Sequence, residues 1–78
     1  MPLSNLSKED KEIIDAFFNA VKEKFLEKEL YVELKEVEKL LFEDKNYRMA
    51  DLFVHDTTKR ENIVIDEAVL KNFVTWWW

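Results

Sequence analysis

Apolar residues recur at helical spacing from Ile13 onward. Ile13, Ile14, Phe17, Phe18, Val21 and Phe25 fall in one arc at about 100° per residue, and Asp15, Asn19, Lys22 and Glu23 lie outside it. Ahead of the stripe, Ser7 and Asp10 form a capping-box pattern with Asp in place of Glu or Gln. Glu9, Asp10 and Glu12 put acids in the first turn, where the helix dipole favours them. The pattern predicts an amphipathic helix over residues 8–28.

Leu26 and Leu30 leave that arc, and "LYVEL" is rich in β-type residues. The helix is therefore predicted to break near Glu29, with two or three extended residues after it. A second stripe, Leu34, Val37, Leu40 and Leu41, predicts a helix over residues 33–44, stopped by Asn46 where glycine is usual. The next stretch, "YRMADLFVHDTTKRENIVIDEAV", admits two periods. Met49, Ala50, Leu52 and Phe53 can share a helical face, yet "LFVHD" and "NIVID" are β-rich and flank a polar "TTKRE". The reading adopted is a short third helix over 47–53 and a hairpin with arms near 53–56 and 62–65. Asp66 then caps a final helix, "DEAVLKNFVTWWW", with Val69, Leu70, Phe73, Val74 and Trp77 together on one face. The predicted class is α+β, mainly helical, with three to four helices and a short β-hairpin. A small all-α bundle is the alternative.

Seventy-eight residues make a single domain, 1–78, near the size at which one apolar core can just offset chain entropy. With no cysteine, neither a disulfide nor a thiolate metal site supports it, and a reducing, cytoplasmic setting is the expectation. Glycine is absent and the only proline is Pro2, so positive-φ turns fall to Asn or Asp, with Asn46 and Asn62 best placed. The net charge of −5 is uneven: residues 1–44 hold 7 lysines and 12 acids, residues 45–78 hold 5 of each sign. An acidic surface repels phosphate backbones and anionic lipids, so nucleic acid and membranes are unexpected partners. "MPLSNLSKEDKE" carries no basic leader or apolar run, and no window is long enough to span a bilayer.

Candidate chemistry is sparse. Trp76, Trp77 and Trp78 stand in a row, and neither a helix nor a strand can turn three successive side chains into one core. At least one indole is expected at the surface, where tryptophan is enriched at binding hot spots. His55, the only histidine, adjoins Asp56 and follows Asp51 by four residues, but a metal site needs three or four ligands. Ser4 and Ser7 sit in the first cap region and Thr57 and Thr58 in the expected turn, without an oriented base. A phosphate-cradling glycine loop cannot be built. The expectation is a non-enzyme with no catalytic residues, cofactor or metal.

The order of elements, helix, "YVE", "LKEVEKLLFED", tight turn, "YRMADLF" and a hairpin tipped by "TTKRE", resembles a winged helix-turn-helix over residues 8–66. That resemblance implies a DNA-recognition role for the third helix, with Lys45 and Arg48 near DNA and Lys59 and Arg60 on the wing. One functional expectation is accordingly a dimeric DNA-binding transcriptional regulator. The preferred one is a small acidic protein-binding module, an inhibitor or nucleic-acid-mimicking regulator of a basic partner. In size and charge the chain is similar to small acidic viral inhibitors. Its binding residues are expected to be Glu29, Glu33, Glu36 and Trp76 to Trp78, the aromatic end also serving as a homodimer contact.

Overall fold

The structure is a computed structural model describing residues 6–78; Pro2 and Ser4 lie outside the described residues. Four helices make up the described chain: α1 (Lys8–Glu27), α2 (Tyr31–Glu38), α3 (Tyr47–Glu61) and α4 (Glu67–Trp77). The chain continues from α2 through a π-helical turn, Lys39–Glu43, in which the Asp44 amide reaches back to the Lys39 carbonyl at 2.9 Å. α1 packs against α2 and α4, and α3 closes the ring against the same two helices.

The α+β, winged-helix-like prediction is overturned. No strand occurs among the described residues, so the all-α bundle is the architecture found. The segment assigned to a third helix over 47–53 and a hairpin at 53–56 and 62–65 is one helix, α3, running through "TTKRE" to Glu61. The cause is a stripe with helical spacing: Tyr47, Ala50, Val54 and Thr57 are all buried. Burial along this stripe outweighs the β preference of "LFVHD". Lys59 and Arg60 lie on the last turn of that helix, with no wing to carry them.

"YVE" is likewise helical rather than extended, because α1 ends in a tight reversal that lets α2 start at Tyr31. Glu29 takes a left-handed conformation, φ 57°, while the Leu30 amide donates to the Phe25 carbonyl at 2.9 Å and the Glu29 amide to the Leu26 carbonyl at 3.1 Å. These are the two bonds of a Schellman stop. α3 ends similarly at Asn62, φ 57°, with the Ile63 amide donating to the Thr58 carbonyl at 2.8 Å. Between α2 and α3 the left-handed residue is Lys45, φ 51°, and not Asn46. Asn46 instead caps α3, its side-chain oxygen accepting from the Met49 amide at 3.2 Å.

A left-handed residue other than glycine costs about 1–2 kcal/mol, partly offset in glycine by its freer unfolded chain. Glu29→Gly and Lys45→Gly are each expected to raise stability by about 0.5–1 kcal/mol. A rise in the urea midpoint measures this, and a fall would contradict the assigned turns.

All four helices contribute to one core. Phe17 of α1 stacks on Phe73 of α4, ring centroids 3.8 Å apart and planes 9° from parallel, and both are fully buried. Val21, Phe25, Val37, Leu41, Tyr47, Ala50 and Val54 surround the pair.

Candidate functional site

Inward selection of α3 leaves a different set of its residues outside. Met49 and Leu52 are half exposed and Phe53 is partly buried; Met49 and Phe53 face α2, and Leu52, three residues on from Met49, turns to solvent beside them. Across from them Val32 of α2 is 79% exposed. Val32, Glu33, Glu36, Leu40, Met49, Phe53 and Arg60 line a groove of about 390 Å³ between the two helices. Arg60 reaches across it, its guanidinium 3.6 Å from the Glu33 carboxylate and 3.3 Å from that of Glu61. Its positive charge is thereby engaged, and Glu36 remains on the wall as an exposed acid.

Of the residues expected to bind a partner, Glu33 and Glu36 therefore meet at this groove. Glu29 sits exposed in the left-handed turn before α2 and does not line the groove. The tryptophans divide three ways. The Trp76 indole N–H donates to the Asp10 carboxylate at 2.7 Å, and its ring lies edge-on to Tyr47 at 4.9 Å. Trp77 is 7% exposed with an unpartnered ring nitrogen, and Trp78 is 82% exposed. Leu70, Val74 and Trp78 follow at intervals of four along α4 and its end, and only Trp78 is substantially free for another molecule. Lys45, Arg48 and Lys59 are exposed but separate, Lys45 in a turn and the others eleven residues apart on α3.

Two carboxylates carry opposite perturbations. Asp10 accepts from the Ser7 backbone at 3.0 Å while Ser7 Oγ accepts from the Asp10 amide at 3.2 Å, completing the capping box. The Ser7 backbone, with the Trp76 indole as second donor, lowers its pKa from the ordinary 3.8. Asp51 of α3 is 4% exposed, and burial raises its pKa although His55 Nε2, 3.3 Å from Oδ1, pulls it back. His55, but not Asp51, lines a second hollow of about 520 Å³ between α3 and α4, where His55 and Thr58 face Ile63, Leu70, Lys71 and Val74. The Thr58 hydroxyl is already donated to the His55 carbonyl at 2.9 Å. Among the described residues no three His, Cys, Asp or Glu side chains converge on a metal position.

Linkage gives these carboxylates a testable consequence. Asp51, raised in the folded state, binds protons more tightly there than in the unfolded chain, so its contribution to stability falls as pH rises above 3.8 through the folded value. Asp10, lowered in the folded state, contributes above 3.8 and loses that contribution as pH drops below it. Asp51→Asn is expected to raise stability relative to the parent more at neutral pH than at mildly acid pH. Asp10→Asn is expected to cost more at neutral pH than in acid. Urea titrations across pH give both differences, and pH-independent differences would contradict the assigned environments.

Sequence reasoning missed the Asp10–Trp76 bond, which spans 66 positions and leaves no local signal. It also missed the apolar floor of the groove. The available signal was Met49 and Leu52, which fall outside the arc of Tyr47, Ala50, Val54 and Thr57 once a helix is continued to Glu61. No helix among the described residues is long and apolar enough to cross a membrane. No protein-family model, curated protein or solved structure matches the chain.

Proposed function

We propose that the chain is a small, acidic, non-enzymatic protein-binding module that regulates a basic partner protein, as an inhibitor or as a stand-in for nucleic acid. The observation that supports it is the α2–α3 face, where exposed Val32 and Met49 line a groove with Glu33 and Glu36, and half-exposed Leu52 stands at the rim beside Met49. Apolar side chains left together on the outside of so small a core mark a contact surface when polar residues border them. The acids there, with Glu23, Glu27, Glu29, Glu38, Glu43 and Asp44 on the first half of the chain, suit a partner site built for phosphates. A cytoplasmic location belongs to the same reading.

A homodimer through the C-terminal end is a second contact in this proposal, favoured by the 82% exposure of Trp78. Sedimentation of parent and Trp78→Ala separates it from the first: association lost in the variant supports the dimer, and a monomeric parent removes it.

The main test is capture from lysate on the immobilised chain, compared with a Glu36→Lys, Leu52→Asp variant. A basic protein held by the parent, displaced by salt and by duplex DNA, and lost from the folded variant is the expected result. Equal capture by both would overturn the reading.

A further inference from the structure

The binding mode follows from the walls of the groove, and it rests on the proposal that a basic partner binds there. We propose that the partner presents an amphipathic α-helix, laid along the α2–α3 groove with its apolar stripe on Val32, Met49 and Phe53, Leu52 at the rim, and its Lys or Arg residues toward Glu36 and, at the margin, Asp56.

Three features of the chain lead to this occupant. The first is shape: both walls are helices, and from Met49 to Arg60 the open side of α3 runs about 16 Å at 1.5 Å per residue, or three helical turns. A helix carrying apolar residues three and four apart matches that length, as in other helix-in-groove complexes. The second is the backbone. An extended β-type peptide gains its main-chain hydrogen bonds from a sheet edge, and no strand exists among the described residues to offer one. A helical segment satisfies those groups internally, so it can be desolvated against Val32 and Met49 without stranded hydrogen-bonding groups.

The third is charge. Arg60, the one cation lining the groove, is engaged by Glu33 and Glu61. Asp56, exposed on α3 and seven residues after Met49, adds a carboxylate to the same stripe as Met49 and Phe53. With Glu36 lining the opposite wall and Asp56 at the margin, each helix brings an exposed acid to the apolar floor. Arg48 and Lys59, four residues before and seven after Leu52, share its solvent-facing stripe on α3, so the cationic side of the bound helix lies away from that stripe and toward α2 and Glu36. An acidic or uncharged amphipathic helix would leave Glu36 and Asp56 without counter-charges as water is excluded.

The probe is a synthetic peptide of about 18 residues of Leu, Lys and Ala, long enough for five helical turns. Its leucines are three and four apart with lysines flanking them, and a scrambled peptide of identical composition serves as control. Amide shifts in the full chain and peptide circular dichroism are read together. The expected result is shifts centred on Val32, Glu36, Met49, Leu52 and Asp56, with helix gained by the ordered peptide and affinity about tenfold above the scrambled one. Glu36→Lys and Leu52→Asp, both at exposed positions and checked for native dichroism, should each weaken binding several-fold, and the Glu36 variant alone suffices if the other misfolds. Equal binding of the two peptides at this face, or shifts confined to α4, would overturn the helix while leaving a basic partner in place. Failure of both peptides to bind would overturn the two proposals together.

Discussion

Phe73→Ala is expected to cost about 4–6 kcal/mol of stability at 25 °C. Phe73 has no exposed surface, stacks on Phe17 at 3.8 Å, meets Tyr47 edge-on at 6.5 Å and lies tilted against Trp76 at 5.8 Å. Truncating a buried phenylalanine costs about 3–5 kcal/mol through lost transfer energy and the cavity left behind. Loss of the aromatic pairs adds about 0.5–1.5 kcal/mol. A domain of this length has about 4–12 kcal/mol of stability in total, so the loss takes most of it at the lower end. Collapse is unable to refill the space, because the neighbours come from three separate helices that are each held by their own contacts. Urea unfolding followed by dichroism gives the value, and a loss under about 2 kcal/mol would mean that α4 does not dock through this ring.

The second large effect is Thr58→Pro, which distinguishes the observed α3 from the hairpin that its sequence suggests. Within a helix the Thr58 amide bonds four residues back, to Val54, and a proline there removes that bond while its ring clashes with the Val54 carbonyl. The cost is about 3 kcal/mol or more. Val54 is fully buried, so the clash cannot be relieved by a shift into solvent. The Thr58 carbonyl also accepts from Asn62 and Ile63, and a kink at this point loosens the stop that leads into α4. In a polar hairpin tip the same proline would be tolerated or favourable. Strong destabilisation with loss of helical dichroism is expected; an unchanged midpoint would restore the turn.

Legibility in the sequence followed how far each pattern was local. α1 was readable because its stripe is long and unbroken and Ser7 with Asp10 marks its start. α4 was readable from Asp66, whose side chain accepts from the Ala68 amide at 2.9 Å, and from the face of Phe73 and Trp77. α3 was obscured because its buried stripe includes small or polar residues, Ala50, Asp51 and Thr57, while the bulkier Met49 and Leu52 face outward. A reader who follows bulk chooses the wrong face and loses the helix after residue 53. The break at Glu29 was located correctly but not its geometry, since a left-handed glutamate is set by the packing of α2 against α1 rather than by local preference.

The candidate site was half legible for the same reason. Glu33 and Glu36, three residues apart on α2, share a helical face by spacing alone, and that much can be counted. What lies beside them depends on α3 crossing to α2, and on Arg60 reaching Glu33 over 27 positions. The tryptophan row divides the same way: Trp77 was readable as a core residue from its spacing to Phe73, whereas the bond that commits Trp76 to Asp10 is predicted by no local pattern.

The account turns on the α2–α3 face being where a partner sits. The direct measurement is photo-crosslinking in cells from p-benzoylphenylalanine placed at Leu52, with Asn19 on the outer side of α1 as the reference position. A discrete adduct with a basic protein from position 52, absent or much weaker from position 19, is the predicted result. No adduct from position 52, or the same adducts from both positions, would contradict it.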